Sequence, residues 1–414
     1  MLEIKIPEYA KDVLRRLESG GYEAFVVGGC VRDSVMGREP HDWDFCTSAL
    51  PEETKSCFPG FHVIETGIKH GTITVVIDQE PAEITTYRID GEYSDDRHPD
   101  SVEFSRDLTE DLARRDFTIN ALAYNPQTGI VDRFGGLEDI RDRKIRCVGD
   151  PEQRFSEDAL RIMRAFRFAA VLGFEIEKET EAAALKRAGS VQNVAAERIQ
   201  AELKKLVLGR RAGSVLTKYC APLSEAAGIA FAPAEKLKIV DYAPAELPVR
   251  LALVFDGDVY SALKKLKFDN HMISLTTAVA ELAAGSTPAD DTALRMLMRE
   301  YGEEAVLGSL QVRATAEEAE KQGVWLGECE SHIGDESGGA MSAADLIAIC
   351  WRIIRNDECR SLKQLDLSGK DLIDAGFAEG REIGYILNVL LDRVISGELP
   401  NRKDILLKAV TELR

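Results

Sequence analysis

Apolar positions change period along the chain. Residues 1–20 put Val13, Leu14 and Leu17 on one helical face and end at Gly20-Gly21, which predicts an amphipathic helix with a glycine stop. Five short runs follow between turn formers: AFVVG (24–28), WDFC (43–46), FHVIE (61–65), TITVVI (72–77) and AEITTY (82–87). Their β-branched and aromatic content predicts strands. The polar stretch GEYSDDRHPDS (91–101) reads as a mobile loop. From about Asp107 the pattern turns helical and stays so, with clear periodicity in FSEDALRIMRAFRFAAVLGF (155–174), ended by Gly173, and in AAERIQAELKKLVLG (195–209). Beyond residue 210, Pro222, Pro233, Pro244, Pro248 and a GSTP turn near 285 interrupt further helices, and GECESHIGDESGG (327–339) reads as an acidic linker before a final helical unit at 341–414. The expected fold is α+β, a head followed by helical modules.

Composition narrows this picture. A chain of 414 residues, 45% hydrophobic, holds two to four domains of ordinary size. No apolar run approaches the ~20 residues of a membrane span, and the N-terminus lacks a charged-then-apolar signal pattern, so a cytoplasmic protein with no membrane partner is expected. The eight cysteines form no CxxC pair, which argues against structural zinc and a disulfide framework and for free thiols. Oligomeric state leaves no mark on the pattern.

A net charge of −19 counts against a nucleic-acid partner unless basic residues cluster locally. They do so at Lys204, Lys205, Arg210 and Arg211, at Lys264, Lys265 and Lys267, and at Arg402 with Lys403. For any single cluster a solvated helix face is the favoured reading.

Chemistry concentrates near the N-terminus. In HDWDFCTSA, Asp42 and Asp44 are two residues apart, so a strand points both carboxylates one way and Trp43 into the core. Paired acids can share divalent ions. Just upstream, FVVGGCVRD supplies Gly28 and Gly29, whose missing Cβ atoms let backbone N–H groups approach phosphates, and Arg32 as a charge-assisted donor. The combination suits nucleotidyl transfer. In EDALRIMRAFRF (157–168), Leu160, Met163, Phe166 and Ala170 form an apolar stripe, while Asp158, Arg161, Arg164 and Arg167 run along its flank. Its plain reading is an amphipathic helix with an Asp158–Arg161 salt bridge.

The order GGxVRD then DxD, followed by RRDFTINALAYN (114–125), EDALRIMRAFRF, DRFGGLEDI (132–140) and QNVAAERIQAELKKLV (192–207), resembles class II CCA-adding enzymes, the tRNA nucleotidyltransferases of the poly(A) polymerase family. LSGKDLIDAG (367–376) and residues 384–401 are similar to the tail of those enzymes. The resemblance implies a polymerase-beta-like head (1–150), a helical neck that recognises bases (151–208), a helical body (209–335) and a tRNA-binding tail (336–414). It implies tRNA as partner, CTP and ATP as substrates, and Mg²⁺ at Asp42 and Asp44, with Glu83 as a third catalytic carboxylate brought alongside by its strand. Arg115 carries over as a nucleotide contact, Asp116 and Asn120 as a polar site for the ribose. The EDxxRxxR pattern makes Asp158 and Arg161 the base readers, supported by Arg164 and Arg167. Cytosine and adenine both present an amino donor beside a ring-nitrogen acceptor; a carboxylate takes the first and an arginine serves the second, whereas uracil and guanine offer the reverse.

Three other readings stay open: an A-adding tRNA nucleotidyltransferase, a poly(A) polymerase, and an inert tRNA-binding module. TGIKHGTITVV (66–76), where poly(A) polymerases carry a GRRF-like segment, favours the tRNA enzyme. His41-Asp42 does not make a phosphohydrolase, because the other five histidines show no metal spacing.

Overall fold

The computed structural model describes residues 3–90, 102–255, 257–324 and 341–412. The chain divides into two compact units, residues 1–211 with 221–228, and residues 212–220 with 229–414.

The first unit opens with helix α1 (Glu8–Ser19), whose Ala10, Val13, Leu14 and Leu17 are buried as the pattern requires. Strand β1 (Ala24–Val27) runs into α2 (Gly29–Val35), then β2 (Asp44–Thr47), α3 (Pro51–Ser56), β3 (His62–Ile64), β4 (Thr72–Ile77) and β5 (Glu80–Thr86). A two-stranded hairpin, β6 (Arg88–Asp90) and β7 (Val102–Phe104), precedes α4 (Leu108–Ala113), β8 (Leu122–Asn125), β9 (Gly129–Asp132) and α5 (Gly136–Arg141). The seven-stranded sheet has the order β3-β4-β5-β2-β1-β8-β9. It is mixed: β2 and β5 pair parallel, while their neighbours pair antiparallel. Alternation along each strand divides its side chains. Ala24, Val26, Phe45, Ile84 and Leu122 join one core with α1 and Trp43, whereas Phe25, Val27, Cys46 and Ala123 join a second core with Leu108 and Leu112 of α4.

Two expectations need correction here. The pattern does not stay helical from Asp107: β8 and β9 complete the main sheet, and Lys144–Ile145 (β10) pairs in parallel with Glu175–Ile176 (β11). The segment Leu-Ala-Tyr-Asn of β8 is buried along its whole length, so it shows no alternation that would betray a strand. The expected continuous helix over 155–174 is in fact two, α6 (Pro151–Glu157) and α7 (Leu160–Leu172), broken at Asp158, whose φ of −141° and ψ of 104° are extended. Gly173 does end α7, in the left-handed conformation. Helices α8 (Lys178–Arg187) and α9 (Ala196–Val207) follow, and α9 packs on α7.

The second unit is helical, including Leu247–Val254, Val259–Lys265, Asn270–Ala284, Asp291–Tyr301, Glu303–Lys321, Ala343–Arg355, Gly369–Asp374, Arg381–Ile395 and Lys403–Glu412. Asp258, Asp269 and Asp290 cap their helices through backbone N–H groups, and Ser342 and Ser368 form capping boxes. Pro222 and Pro248 sit in first helical turns, and Pro233 precedes another, positions where a missing N–H costs little. The expected loop at 91–101 and the expected linker at 327–339 lie outside the described residues.

Candidate active site

The floor of the site is built by β1, β2 and β5. Gly28 ends β1 at φ +82°, a backbone conformation L side chains rarely adopt, and a Cβ there would lie 3.2 Å from Arg115 Nη1. Gly29 starts α2, which carries the buried Arg32. On β2 and just before it, Trp43 and Phe45 are buried while Asp42 and Asp44 are exposed, so the two acids do share one side. Parallel pairing sets Asp44 opposite Glu83 of β5, also exposed. Three carboxylates therefore lie on the sheet face that carries Cys46 and Val27, at its C-terminal-of-β1 end.

Their charges interact. Desolvation by the surrounding protein, reinforced by the negative charges of Glu83 and Asp42, pushes the Asp44 carboxyl above its ordinary value, against the pull of Arg115. Clustered hard oxygen donors that repel one another fit a divalent cation. Among the described residues no three His, Cys, Asp or Glu side chains are gathered into a ready-made cage. An acid pair of this kind suits an ion that keeps waters and takes substrate phosphate oxygens as its remaining ligands.

Beside the acids lies a network of guanidiniums. Arg114 and Arg115 both donate to the fully buried Asp111, Arg115 through Nη2 at 3.1 Å. Asp116 accepts from Asn120 Nδ2 at 3.0 Å and Arg164 Nε at 2.7 Å. Burial alone would raise its carboxyl, but Arg164 and Asn120 more than offset this and hold it at about 2. Asn120 Oδ1 in turn accepts from Arg32 Nη1 at 2.6 Å, and Arg32 also donates to both oxygens of Asp33. Helices α7 and α2 thus share one hydrogen-bonded chain, Arg164–Asp116–Asn120–Arg32.

Phe168 sits under that chain. Its ring centroid is 5.1 Å from the Arg32 guanidinium carbon, 5.5 Å from that of Arg164 and 3.9 Å from that of Arg167. Three cations on one ring are a concentrated positive site. Burial, with Arg164 and Arg32 nearby, pulls Arg167 down to about 10, although Glu202 of α9 lies 2.6 Å from its Nε. That pair is close but misaligned: among the described residues neither Arg167 Nε nor Glu202 Oε2 completes a hydrogen bond.

Asp158 and Arg161 are near in sequence and do not pair with each other. Asp158 Oδ1 accepts from Leu160 N–H at 3.0 Å and Oδ2 from Arg198 Nη2 of α9 at 3.0 Å. Arg161 donates to Glu157 at 2.8 Å and to the carbonyls of Arg114 at 3.0 Å and Arg154 at 3.3 Å. The plain reading of a mutual salt bridge is therefore replaced by two separately anchored groups.

Comparison with known proteins fits this geometry. Residues 24–146 match the family model for the poly A polymerase head domain, 173–220 that for the probable RNA and SrmB-binding site of polymerase A, and 342–410 that for tRNA nucleotidyltransferase domain 2. A CCA-adding enzyme of Levilactobacillus brevis is 35% identical over 427 residues, covering 98% of both chains. One from Limosilactobacillus reuteri is 37% identical, covering 98% of this chain and 96% of its own. The chain belongs to the CCA-adding enzymes. The crystal structure of the Bacillus stearothermophilus CCA-adding enzyme in complex with CTP superposes with a TM-score of 0.79 at 31% identity, covering 98% of this chain and 96% of that one. A Thermotoga maritima CCA-adding enzyme complexed with tRNA shares the fold at 18% identity and a TM-score of 0.65.

CCA-adding enzymes are nucleotidyltransferases, and divalent-metal dependence comes with that family. In this member the thirteen expected site residues fall in three groups. Asp42, Asp44, Glu83, Gly28, Gly29, Arg32 and Arg115 line the sheet; Asp116, Asn120, Arg164 and Arg167 join through the Phe168 network; Asp158 and Arg161 stand at the α6–α7 break. Sequence reasoning passed over Asp111, Phe168, Arg198 and Glu202. The last two stand four apart on α9, each just before a buried residue, Ile199 and Leu203, and that polar pair on a packed helix is the signal that could have found them.

Proposed function

We propose that this chain extends the 3′ end of tRNA with C, C and A from CTP and ATP, its own side chains serving as template. The observation that carries the reading is the end-to-end relationship to CCA-adding enzymes at 35–37% identity. Related structures hold CTP, ATP and tRNA. The roles of individual residues are ours. A head at 1–150, a neck at 151–208, a body at 209–335 and a tail at 336–414 is the division of labour we assign.

Asp42 and Asp44 would hold Mg²⁺, helped by Glu83 across the β2–β5 register. Bound ions of this kind lower the pKa of an attacking 3′-hydroxyl and offset charge on departing pyrophosphate. Gly28 leaves room for the triphosphate and for Arg115, and Arg32 supplies a fork held in place by Asp33 and Asn120. Asp158 accepts the amino hydrogens of cytosine or adenine on lone pairs left over from Leu160 and Arg198. Arg161 spends three donors on Glu157, Arg154 and Arg114 and keeps others for the ring nitrogen. Uracil or guanine would leave like groups facing each other, a mismatch that costs about 1–3 kcal/mol for each group left unpaired.

The test is incubation with Mg²⁺, each nucleoside triphosphate singly, and tRNA ending at the discriminator base, after one C, or after two. Stepwise C, C and A addition, with UTP and GTP refused, is the expected result. Addition of A alone, to the substrate ending in two C, would replace the reading with A-addition. Asp42→Ala and Asp44→Ala should bind tRNA and transfer nothing; turnover at the unmodified rate removes the metal assignment.

A further inference from the structure

Asp158 occupies the two-residue gap between α6 and α7, where extended backbone leaves the side chain outside any helical ladder. One of its oxygens is fixed by its own chain, through the Leu160 N–H, and a single contact leaves a carboxylate free to turn about that bond. The second contact comes from another helix: Arg198 Nη2 donates to Oδ2 at 3.0 Å. The pair is partly sheltered, with side-chain exposures of 25% and 16%. Arg198 Nη1 is buried and, among the described residues, has no hydrogen-bond partner. Arg–carboxylate pairs are frequently bidentate; here Nη2 alone holds Oδ2, and Nη1 stays beside it without a partner among the described residues.

On the reading that Asp158 accepts the amino hydrogens of the incoming base, we infer that Arg198 is the positioning residue of the base reader. It pins the carboxylate plane from α9 so that an oxygen lone pair stays fixed where the exocyclic amino group of cytosine or adenine must donate. Selectivity depends on that rigidity. A fixed acceptor facing the O4 of uracil or the O6 of guanine cannot be relieved; a carboxylate free to swing aside lets water intervene and the wrong base is tolerated. Arg161 is anchored independently by Glu157 and the Arg114 carbonyl, so loss of Arg198 leaves the donor half of the reader in place.

The experiment measures kcat and KM for all four nucleoside triphosphates on tRNA lacking CCA, in Arg198→Met, Arg198→Lys and Asp158→Ala. In Arg198→Met the CTP-over-UTP ratio of kcat/KM should fall about tenfold or more, mainly because UTP improves. Arg198→Lys keeps one donor without the planar fork and should give an intermediate loss of about threefold. A merely structural role lowers CTP and UTP together and leaves the ratio unmoved. That outcome in either folded Arg198 variant, with Asp158→Ala relaxing selectivity, overturns the role of Arg198 and leaves the reader standing. Should Arg198→Met not fold, the Lys variant decides alone. Full selectivity in Asp158→Ala removes the reader itself.

Discussion

At the scale of single residues, two positions are held by what surrounds them. Gly28 has both a positive φ and a neighbour 3.2 Å from any added Cβ. Gly28→Ala should cost about 1–3 kcal/mol of backbone strain and displace the Arg115 guanidinium that donates to Asp111. The expected outcome is a lower melting temperature with kcat/KM for CTP and ATP reduced about tenfold or more by the displacement, tRNA binding being kept; a fully active variant would show that the close approach is unnecessary. Asp116 tests the polar chain. Its folded-state carboxyl lies at about 2 against an ordinary 3.8, so its contribution is complete above pH ~4 and is lost as pH falls towards 2. Wild type should exceed Asp116→Asn by about 2 kcal/mol near neutrality from this term, the gap closing between pH 4 and 2 in denaturant titrations. A gap independent of pH would reject it. The glycines, the paired aspartates and Arg32 are legible in sequence because their chemistry is local. Arg198 on Asp158, forty positions away, is not: no period or spacing announces which helix face meets which.

Among elements, strands were readable where alternation marked them, as in β4, or where a short apolar run stood between turn formers, as in β1, and not where neither did. β4 matches its expected 72–77 because every second residue is buried, whereas β8 is buried throughout and hid inside a motif read for its polar residues. The break at Asp158 escaped for a related reason: the apolar stripe runs from α6 into α7, since Phe155, Leu160, Met163 and Phe166 are all buried, and periodicity cannot see a side chain that caps its own backbone. The α7–α9 pairing that results carries Phe168, Arg164 and Arg167 on one side and Arg198 and Glu202 on the other. Gly209, just past α9, allows the close approach, because a Cβ there would fall 2.7 Å from the Ala170 carbonyl carbon and 2.8 Å from its oxygen, backbone atoms that cannot step aside. Gly209→Ala should therefore force the pair apart and destabilise the first unit by about 1–3 kcal/mol. Because Arg198 rides on α9, its grip on Asp158 should loosen too, and UTP misincorporation should rise along with the fall in melting temperature. Unaltered stability would mean that the helices have slack at that end.

For the whole molecule the controlling quantity is charge. A chain of net −19 must bind a polyanion, so long-range attraction is absent and affinity rests on local positive patches. The surroundings of the three basic clusters differ. Arg402 pairs with Asp404 and Lys403 with Asp371, and Arg210 donates to the Leu172 carbonyl. Lys264, Lys265 and Lys267 are exposed at the end of Val259–Lys265, where Lys264 also lies over the Tyr260 ring. If these three meet tRNA phosphates, each contact releases about one counterion, and the slope of log affinity against log salt falls by roughly one for every lysine reversed to glutamate. Lys264→Glu with Lys265→Glu should thus flatten the slope by about two, while KM for CTP and ATP stays unchanged. Equal slopes for wild type and the Lys264/Lys265 variant would take that surface out of the tRNA path and leave Lys204, Lys205 and Arg211 of the first unit as the remaining candidates.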